Sequence, residues 1–306
     1  VDPTQPHLPT VRQLRYFVAL TEERHFGRAA RRCFVSQSGF STAIRELESL
    51  LDTQLADRTN RRVTITAAGQ EIAVLARLCL RDLATLVESA RGLKAPMQGN
   101  LQLGVIPTIA PFLLPRVLPK LRATYPALKI WLQEDTTSNL HDKLMDGTLD
   151  LVLLALPYDL PGTEVKSLFR DRFLLAAREG TKLVDPQHYR FSRLDAGSVL
   201  LLREGHCLRE HAIAACRIRN TEKVATFSAS SLLTLIEMVD ADLGITFLPE
   251  MAVGSALLRE TRVRTFPMKE NSFRTIGLVW RRGSARRREF EELAEFFAEL
   301  NPAENA

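Results

Sequence analysis

Cysteine is scarce here, four residues in 306. That is too few for a disulfide framework, and no Cys-x-x-Cys cluster marks a cysteine-rich metal site. Long apolar runs are missing as well. The longest, residues 149–156, contains an aspartate and falls far short of the roughly 20 residues that span a bilayer. The first ten residues are polar and proline-rich, so neither a signal peptide nor a membrane anchor is expected, and a cytoplasmic protein with reduced thiols is. Internal repeats and low-complexity tracts are absent. Lysine is absent from residues 1–66, which carry ten arginines against seven acids, so +3 of the total formal charge of +5 lies in that fifth of the chain. Arginine is the better residue for bidentate contacts to phosphates and guanine edges. The mildly basic balance permits an anionic partner without demanding one.

What is present divides into two patterns. Residues 11–93 read as helical with one interruption. Leu14, Phe17, Val18 and Leu20 form an amphipathic stripe, and residues 26–33 form a second, shorter helix whose Ala29 and Ala30 allow close approach of a neighbour. Ser36 is a good N-cap for a third helix from Gln37 to about Leu51. Two short helices joined by such a turn are a helix-turn-helix signature. Residues 58–66 read as two short extended pieces around a basic tip, a wing. From residue 67 to 93 there is no proline, and Ile72, Leu75, Leu78, Leu83, Leu86 and Leu93 recur at helical spacing. A long helix with an apolar stripe and little chain nearby calls for a partner, most simply its own copy.

Beyond a linker at residues 94–100, strands and helices alternate. Strands are expected at 101–106, 129–133, 149–156, 173–177, 199–202, 244–248 and 275–280. Helices are expected at 111–124, at 231–241, and at a short segment capped by Ser138 that stops at Gly147. Phe290, Leu293, Phe297 and Leu300 line a closing helix. This alternation predicts an α/β region with largely parallel sheets.

Cys207 and Cys216 stand nine residues apart, with His206, Arg209 and His211 beside the first. In a helix their Cα atoms would be about 13–14 Å apart, whereas a disulfide tolerates about 4.4–6.8 Å. They are therefore inert packing residues, metal ligands, or the two ends of a switch that remodels the segment. Gly205 places a helix start near Cys207, where free amides and Arg203 and Arg209 favour a thiolate, opposed by Glu204 and Glu210. Cys33 and Cys79 read as small core residues and His211 as a surface residue.

Five stretches together resemble LysR-type transcriptional regulators: Leu14-Arg15-Tyr16-Phe17, His25-Phe26-Gly27-Arg28-Ala29-Ala30, Val35-Ser36-Gln37-Ser38, Ile44-Arg45-Glu46-Leu47-Glu48, and residues 58–69. The resemblance implies an all-α winged helix-turn-helix (1–66), a dimerising linker helix (67–93), a hinge (94–100) and an α/β effector region (101–306). That region would have two periplasmic-binding-protein-like subdomains, I at about 101–169 with 275–306 and II at about 170–274. Ser38-Gly39-Phe40 departs from the family's proline, small residue and leucine. Within the family, Gly205-His206-Cys207-Leu208-Arg209, Cys216, Val105-Ile106-Pro107-Thr108 and Arg274-Thr275-Ile276-Gly277-Leu278-Val279 resemble the OxyR group of hydrogen-peroxide sensors. The stretch between Cys216 and Ala225 is shorter than that group leads one to expect.

These resemblances set the functional expectations. Gln37, Ser38, Ser41 and Thr42 would face the major groove, Arg28, Arg31 and Arg32 the backbone, and Arg61 and Arg62 a narrow minor groove. Cys207 would be the peroxidatic thiol and Cys216 the resolving one, with Thr108, Thr137, His206 and Arg274 binding peroxide. The implied partners are promoter DNA, hydrogen peroxide, further copies in a homodimer or homotetramer, and RNA polymerase, with no membrane. No cofactor, resident metal or enzymatic turnover is expected. The rival readings are a metal sensor built on Cys207, His211, His206 and Cys216, a regulator with a small anionic effector near Thr108 and Thr137, and a thiol peroxidase.

Overall fold

The computed structural model describes residues 8–58, 63–90, 97–186, 188, 194–215, 223–268 and 272–299. The chain forms two compact units, residues 1–94 with 145–148, and residues 95–144 with 149–306.

In the first unit three helices follow in quick succession: α1 (Val11–Glu23), α2 (Phe26–Arg32) and α3 (Gln37–Leu50). Each start has a sequence reason. Thr10 and Gln13 form a capping box on α1. His25 Nδ1 accepts from the amides of Gly27 and Arg28 at α2, and Ser36 Oγ accepts from Gly39 N at α3, the cap expected from the sequence. The three helices close over a small core of Phe17, Leu20, Phe40, Ile44 and Leu47, with Ala29 and Ala30 fully buried where α2 packs tightly. Tyr16 stacks on Phe40 at 5.1 Å and Phe26 meets it edge-on at 6.1 Å. Strands β1 (Ala56–Arg58) and β2 (Val63–Ile65) pair antiparallel as the expected wing, and α4 (Ala67–Ala90) follows. On α4, Leu75, Leu83, Leu86 and Val87 are exposed in the single chain. Cys79 is exposed too, against the expectation of a core residue, because it lies off the face that α4 presents to its own chain.

The second unit alternates strands and helices. Its elements are β3 (Gly99–Val105), α5 (Ala110–Thr124), β4 (Leu128–Glu134), α6 (Thr137–Met145), β5 (Leu151–Leu156), β6 (Thr163–Arg178), β7 (Val199–Leu202), α7 (Cys207–Ala215), β8 (Val224–Ala229), α8 (Leu232–Asp240), β9 (Thr246–Pro249), α9 (Ala256–Arg259), β10 (Val263–Pro267), β11 (Phe273–Arg281) and α10 (Arg287–Glu299). The main sheet runs β10-β6-β11-β5-β3-β4, with β9 also on β6, and β7 pairs separately with β8.

The expectation of largely parallel sheets is corrected. β3 lies parallel to β4 and β5, but β11 is antiparallel to both β5 and β6, and β9 and β10 are antiparallel to β6. The chain returns from its far end to fill the middle of the sheet, and hydrophobic periodicity carries no information on strand direction. The sixteen-residue β6 is the seam of this unit. Its first part pairs with β11, and its last part pairs with β9 and β10. Ser138 lies inside α6, which starts one residue earlier. β3 starts at Gly99, inside the expected hinge. Among the described residues no helix is long and apolar enough to cross a membrane.

Candidate functional site

Arg274 organises the site. In the β6–β11 register it stands opposite Asp171, and both are buried, at 1% and 4% exposure. Its Nε donates to Asp171 Oδ2 at 2.9 Å. Nη1 donates to Thr108 Oγ1 at 2.8 Å and Nη2 to the Thr108 carbonyl at 2.9 Å. Asp171 Oδ1 accepts from Met251 N at 3.1 Å. Burial pushes the Asp171 carboxyl up, and the Arg274 guanidinium and backbone amides oppose the rise. A buried ion pair holds only when its remaining hydrogen bonds are made, and here they are. The pair ties β6, β11 and the β3–α5 loop to one point. Thr108 serves this network rather than capping α5, whose N-cap Ile109 makes no side-chain cap bond.

Cys207 is the first residue of α7 and is 4% exposed. Gly205, at φ 92°, turns the chain from β7 into that helix, a conformation that favours glycine. Burial pushes the Cys207 thiol up; the Thr137 hydroxyl, the Arg274 charge and the Ala155 backbone pull against it, and Glu210 adds to it. Burial is the largest of these influences, so the thiol lies above its ordinary range, against the thiolate expected at the helix start. Arg203, expected to support a thiolate, is exposed, and Arg209 donates to the Leu202 carbonyl at 3.3 Å.

Thr108, Thr137, His206 and Arg274, all named from the sequence, are buried; Thr108 bonds to Arg274, Thr137 and Arg274 act on Cys207, and His206 precedes Cys207 in the chain. Buried polar groups nearly always find partners. Of the five described buried side-chain N or O atoms that have none, Thr137 Oγ1, His206 Nε2 and His211 Nδ1 belong to this neighbourhood. Thr137 Oγ1 is close enough to act on the Cys207 sulfur but makes no hydrogen bond of normal geometry. Burial, then Arg203, holds the His206 imidazole below its usual range. His211 was expected at the surface and is 8% exposed, because α7 turns its Cys207–His211 face inward. Its Nε2 lies 2.9 Å from the Pro157 carbonyl, and burial depresses its pKa, with the Pro157 carbonyl opposing. Sequence reasoning missed Asp171 altogether, because it stands between Arg170 and Arg172 and reads as part of a solvated charged stretch of β6. Cys216 lies outside the described residues.

On the helix-turn-helix, Gln37, Ser38 and Thr42 are exposed and Ser41 half-buried along α3. Arg28, Arg31 and Arg32 are exposed on α2. Arg28 pairs with Glu23 at 3.3 Å, and Arg32 with Glu22 at 2.5 Å and Glu23 at 3.4 Å. Exposed pairs are worth about 0–1 kcal/mol, so phosphates could compete for both arginines. Arg61 and Arg62 lie outside the described residues.

Comparison with known proteins follows the same division. Residues 11–70 match the family model of the bacterial regulatory helix-turn-helix proteins of the lysR family, and residues 94–301 match the LysR substrate binding domain. The HTH-type transcriptional regulator EstR of Acinetobacter baylyi is 37% identical over 294 residues, covering 96% of this chain and 97% of that protein. The hydrogen peroxide-inducible genes activator of Escherichia coli O6:H1 is 40% identical over 285 residues, 93% of each chain. Full-length OxyR from Pseudomonas aeruginosa superposes with a TM-score of 0.80 at 33% identity, covering 95% of each chain. A helix-turn-helix head, an α/β effector region and these matches place the chain in the LysR family of DNA-binding transcriptional regulators.

Proposed function

We propose that this regulator senses hydrogen peroxide at Cys207 and answers through a Cys207–Cys216 disulfide. The observation that carries the reading is a buried thiol beside the Thr137 hydroxyl and within the field of Arg274, itself bonded to Thr108. The similarity to a protein named as a hydrogen peroxide-inducible genes activator supports it. In the first step the Cys207 proton leaves, the sulfur attacks one peroxide oxygen, the S–O bond forms and the O–O bond breaks. The products are a sulfenic acid and water. The Cys216 thiol then attacks that sulfur, forming S–S and releasing a second water. Thr108, Thr137, His206 and Arg274 hold the peroxide and stabilise the leaving oxygen.

Helix α7 makes the second step a conformational event. It runs unbroken from Cys207 to Ala215, which separates those two Cα atoms by about 12 Å. The next Cα lies about 3.8 Å further along the chain, so it cannot come within about 6.8 Å of Cys207 while the helix stands. Disulfide formation requires α7 to unwind. The strain this puts on the effector region is what would alter promoter contacts by Gln37, Ser38, Ser41, Thr42 and the arginines at 28, 31, 32, 61 and 62. A dimer through the exposed face of α4, tetramers of such dimers and contact with RNA polymerase belong to the same proposal.

The test is peptide-mapped mass spectrometry of reduced, metal-free protein after a near-stoichiometric pulse of hydrogen peroxide. A Cys207–Cys216 disulfide should form before Cys33 or Cys79 oxidises, and Cys207→Ser should abolish the response. Thiols oxidising slowly and equally would overturn the reading. One specific observation favours a second reading: Thr137 Oγ1 is unpartnered at the start of α6, within a site that also holds the Arg274 charge. Such donors suit a small anionic effector, and Cys207→Ser would then leave the response intact. Among the described residues no group of three His, Cys, Asp or Glu is placed to hold a metal ion.

A further inference from the structure

His211 was not among the residues that the sequence pointed to for peroxide chemistry, and the geometry gives it a defined role. It lies one helical turn after Cys207 on α7, the i, i+4 spacing that puts two side chains on one face. Both are buried, at 8% and 4% exposure, and the charge of Arg274 acts on both. The tautomer follows from a single contact. A carbonyl can only accept, so the 2.9 Å contact between Nε2 and the Pro157 oxygen requires the proton on Nε2 and leaves a lone pair on Nδ1. Nδ1 is buried and has no partner. The charge of Arg274 acts on the ring, and a guanidinium carries donors and no acceptor.

We propose that His211 Nδ1 is the base that takes the Cys207 proton and returns it to the leaving oxygen; this deepens the peroxide reading and rests on it. The balance closes. Nδ1 makes no hydrogen bond to Cys207 in the resting site, so the S–H proton reaches it by way of the bound peroxide; the thiolate attacks one peroxide oxygen, and the S–O bond forms as the O–O bond breaks. The hydroxide released takes the proton back from the imidazolium and leaves as water. A sulfenic acid and neutral His211 remain. The pinned Nε2–H bond keeps the ring oriented through both transfers, and Arg274 beside it makes the protonated state short-lived.

The groups that bear on this transfer are Arg274 on β11, Glu210 and Cys207 on α7, and Tyr158, whose phenol interacts with Glu210 and Cys207. Replacement of His211 by glutamine keeps a donor for Pro157 and removes the base. The experiment is the rate of Cys207 thiol loss to hydrogen peroxide in the full chain, by quench and alkylation, from pH 6 to 9, for the parent and His211→Gln. The variant should be slower by roughly 10²-fold near pH 6.5, the lower range for loss of a general base. The deficit should shrink as pH rises and hydroxide replaces the base. His211→Ala with added imidazole provides a second readout, with the rate recovering in proportion to free imidazole base. Equal rates at every pH, or a deficit of the same size throughout, would overturn the role of His211. If Cys207 in the parent itself reacts no faster than Cys33 and Cys79, the peroxide reading fails first and takes this one with it.

Discussion

Replacing Asp171 by alanine removes the half of the buried pair that carries no direct chemistry in the proposed reaction, so its effect measures what the site costs the fold. Asp171 accepts from Arg274 Nε at 2.9 Å and from Met251 N at 3.1 Å. Without it the guanidinium stays buried at 1% exposure with its charge uncompensated, and the Met251 amide loses its acceptor. Breaking a buried pair from one side costs about 3–5 kcal/mol, and an orphaned amide adds about 1 kcal/mol or more. For a region of this size each kcal/mol lowers the unfolding midpoint by about 2–4 °C. A loss of about 4 kcal/mol therefore predicts a fall of roughly 8–16 °C.

Tryptophan fluorescence isolates the right unit, because the two tryptophans, Trp131 and Trp280, both lie in the effector region. Thermal or urea unfolding followed at that wavelength should show the loss. The companion variant Asp171→Leu with Arg274→Met removes both charges together. It should recover to within about 1–2 kcal/mol of the parent while losing the hold on Thr108 and hence rapid oxidation of Cys207. A cost below about 1 kcal/mol for Asp171→Ala would refute the reasoning, since the pair would then contribute no more than an exposed one.

Two further outcomes follow from the same geometry. Thr137→Val deletes a buried, unpartnered hydroxyl at almost constant volume, which should leave stability unchanged or raised by about 1 kcal/mol, yet Cys207 should react more slowly with peroxide; chemical denaturation and quench kinetics read the two effects separately. His206 and His211 both have depressed pKa values in the fold, so the unfolded chain binds more protons than the folded one below about pH 6.5. The stability they contribute is present above that value and is lost as pH falls through it, by up to about 1.4 kcal/mol per pH unit for each histidine. Unfolding curves between pH 7.5 and 5 should show the loss, and His206→Gln with His211→Gln should flatten it.

How much of this could be read along the chain depends on the range of the interactions. Capping is local, so Ser36 could be named as the start of α3 from its neighbours, and Gly205 as the turn into α7. Apolar spacing placed α1, α4 and α10, whose apolar residues recur at helical intervals. Cys207, Thr108, Thr137, His206 and Arg274 were named through family resemblance. Nothing in their spacing brings together residues up to 166 positions apart.

The errors have physical causes too. Strand direction was misjudged because alternation records which face is buried and not which way a neighbour runs. The Cys207 thiol was expected to ionise because the helix start and nearby arginines are visible in sequence, whereas the burial that pushes it up is produced by packing. His211 was placed at the surface for the same reason: its burial depends on where α7 docks, and polarity does not reveal docking. The local order of the helix-turn-helix, the long helix and the alternating elements beyond it was determined by the sequence alone, through caps, turns and periodicity. The pairing of Asp171 with Arg274, the burial of Cys207 and the tautomer of His211 were decided only by the tertiary structure, because each depends on groups from distant segments meeting where water is excluded.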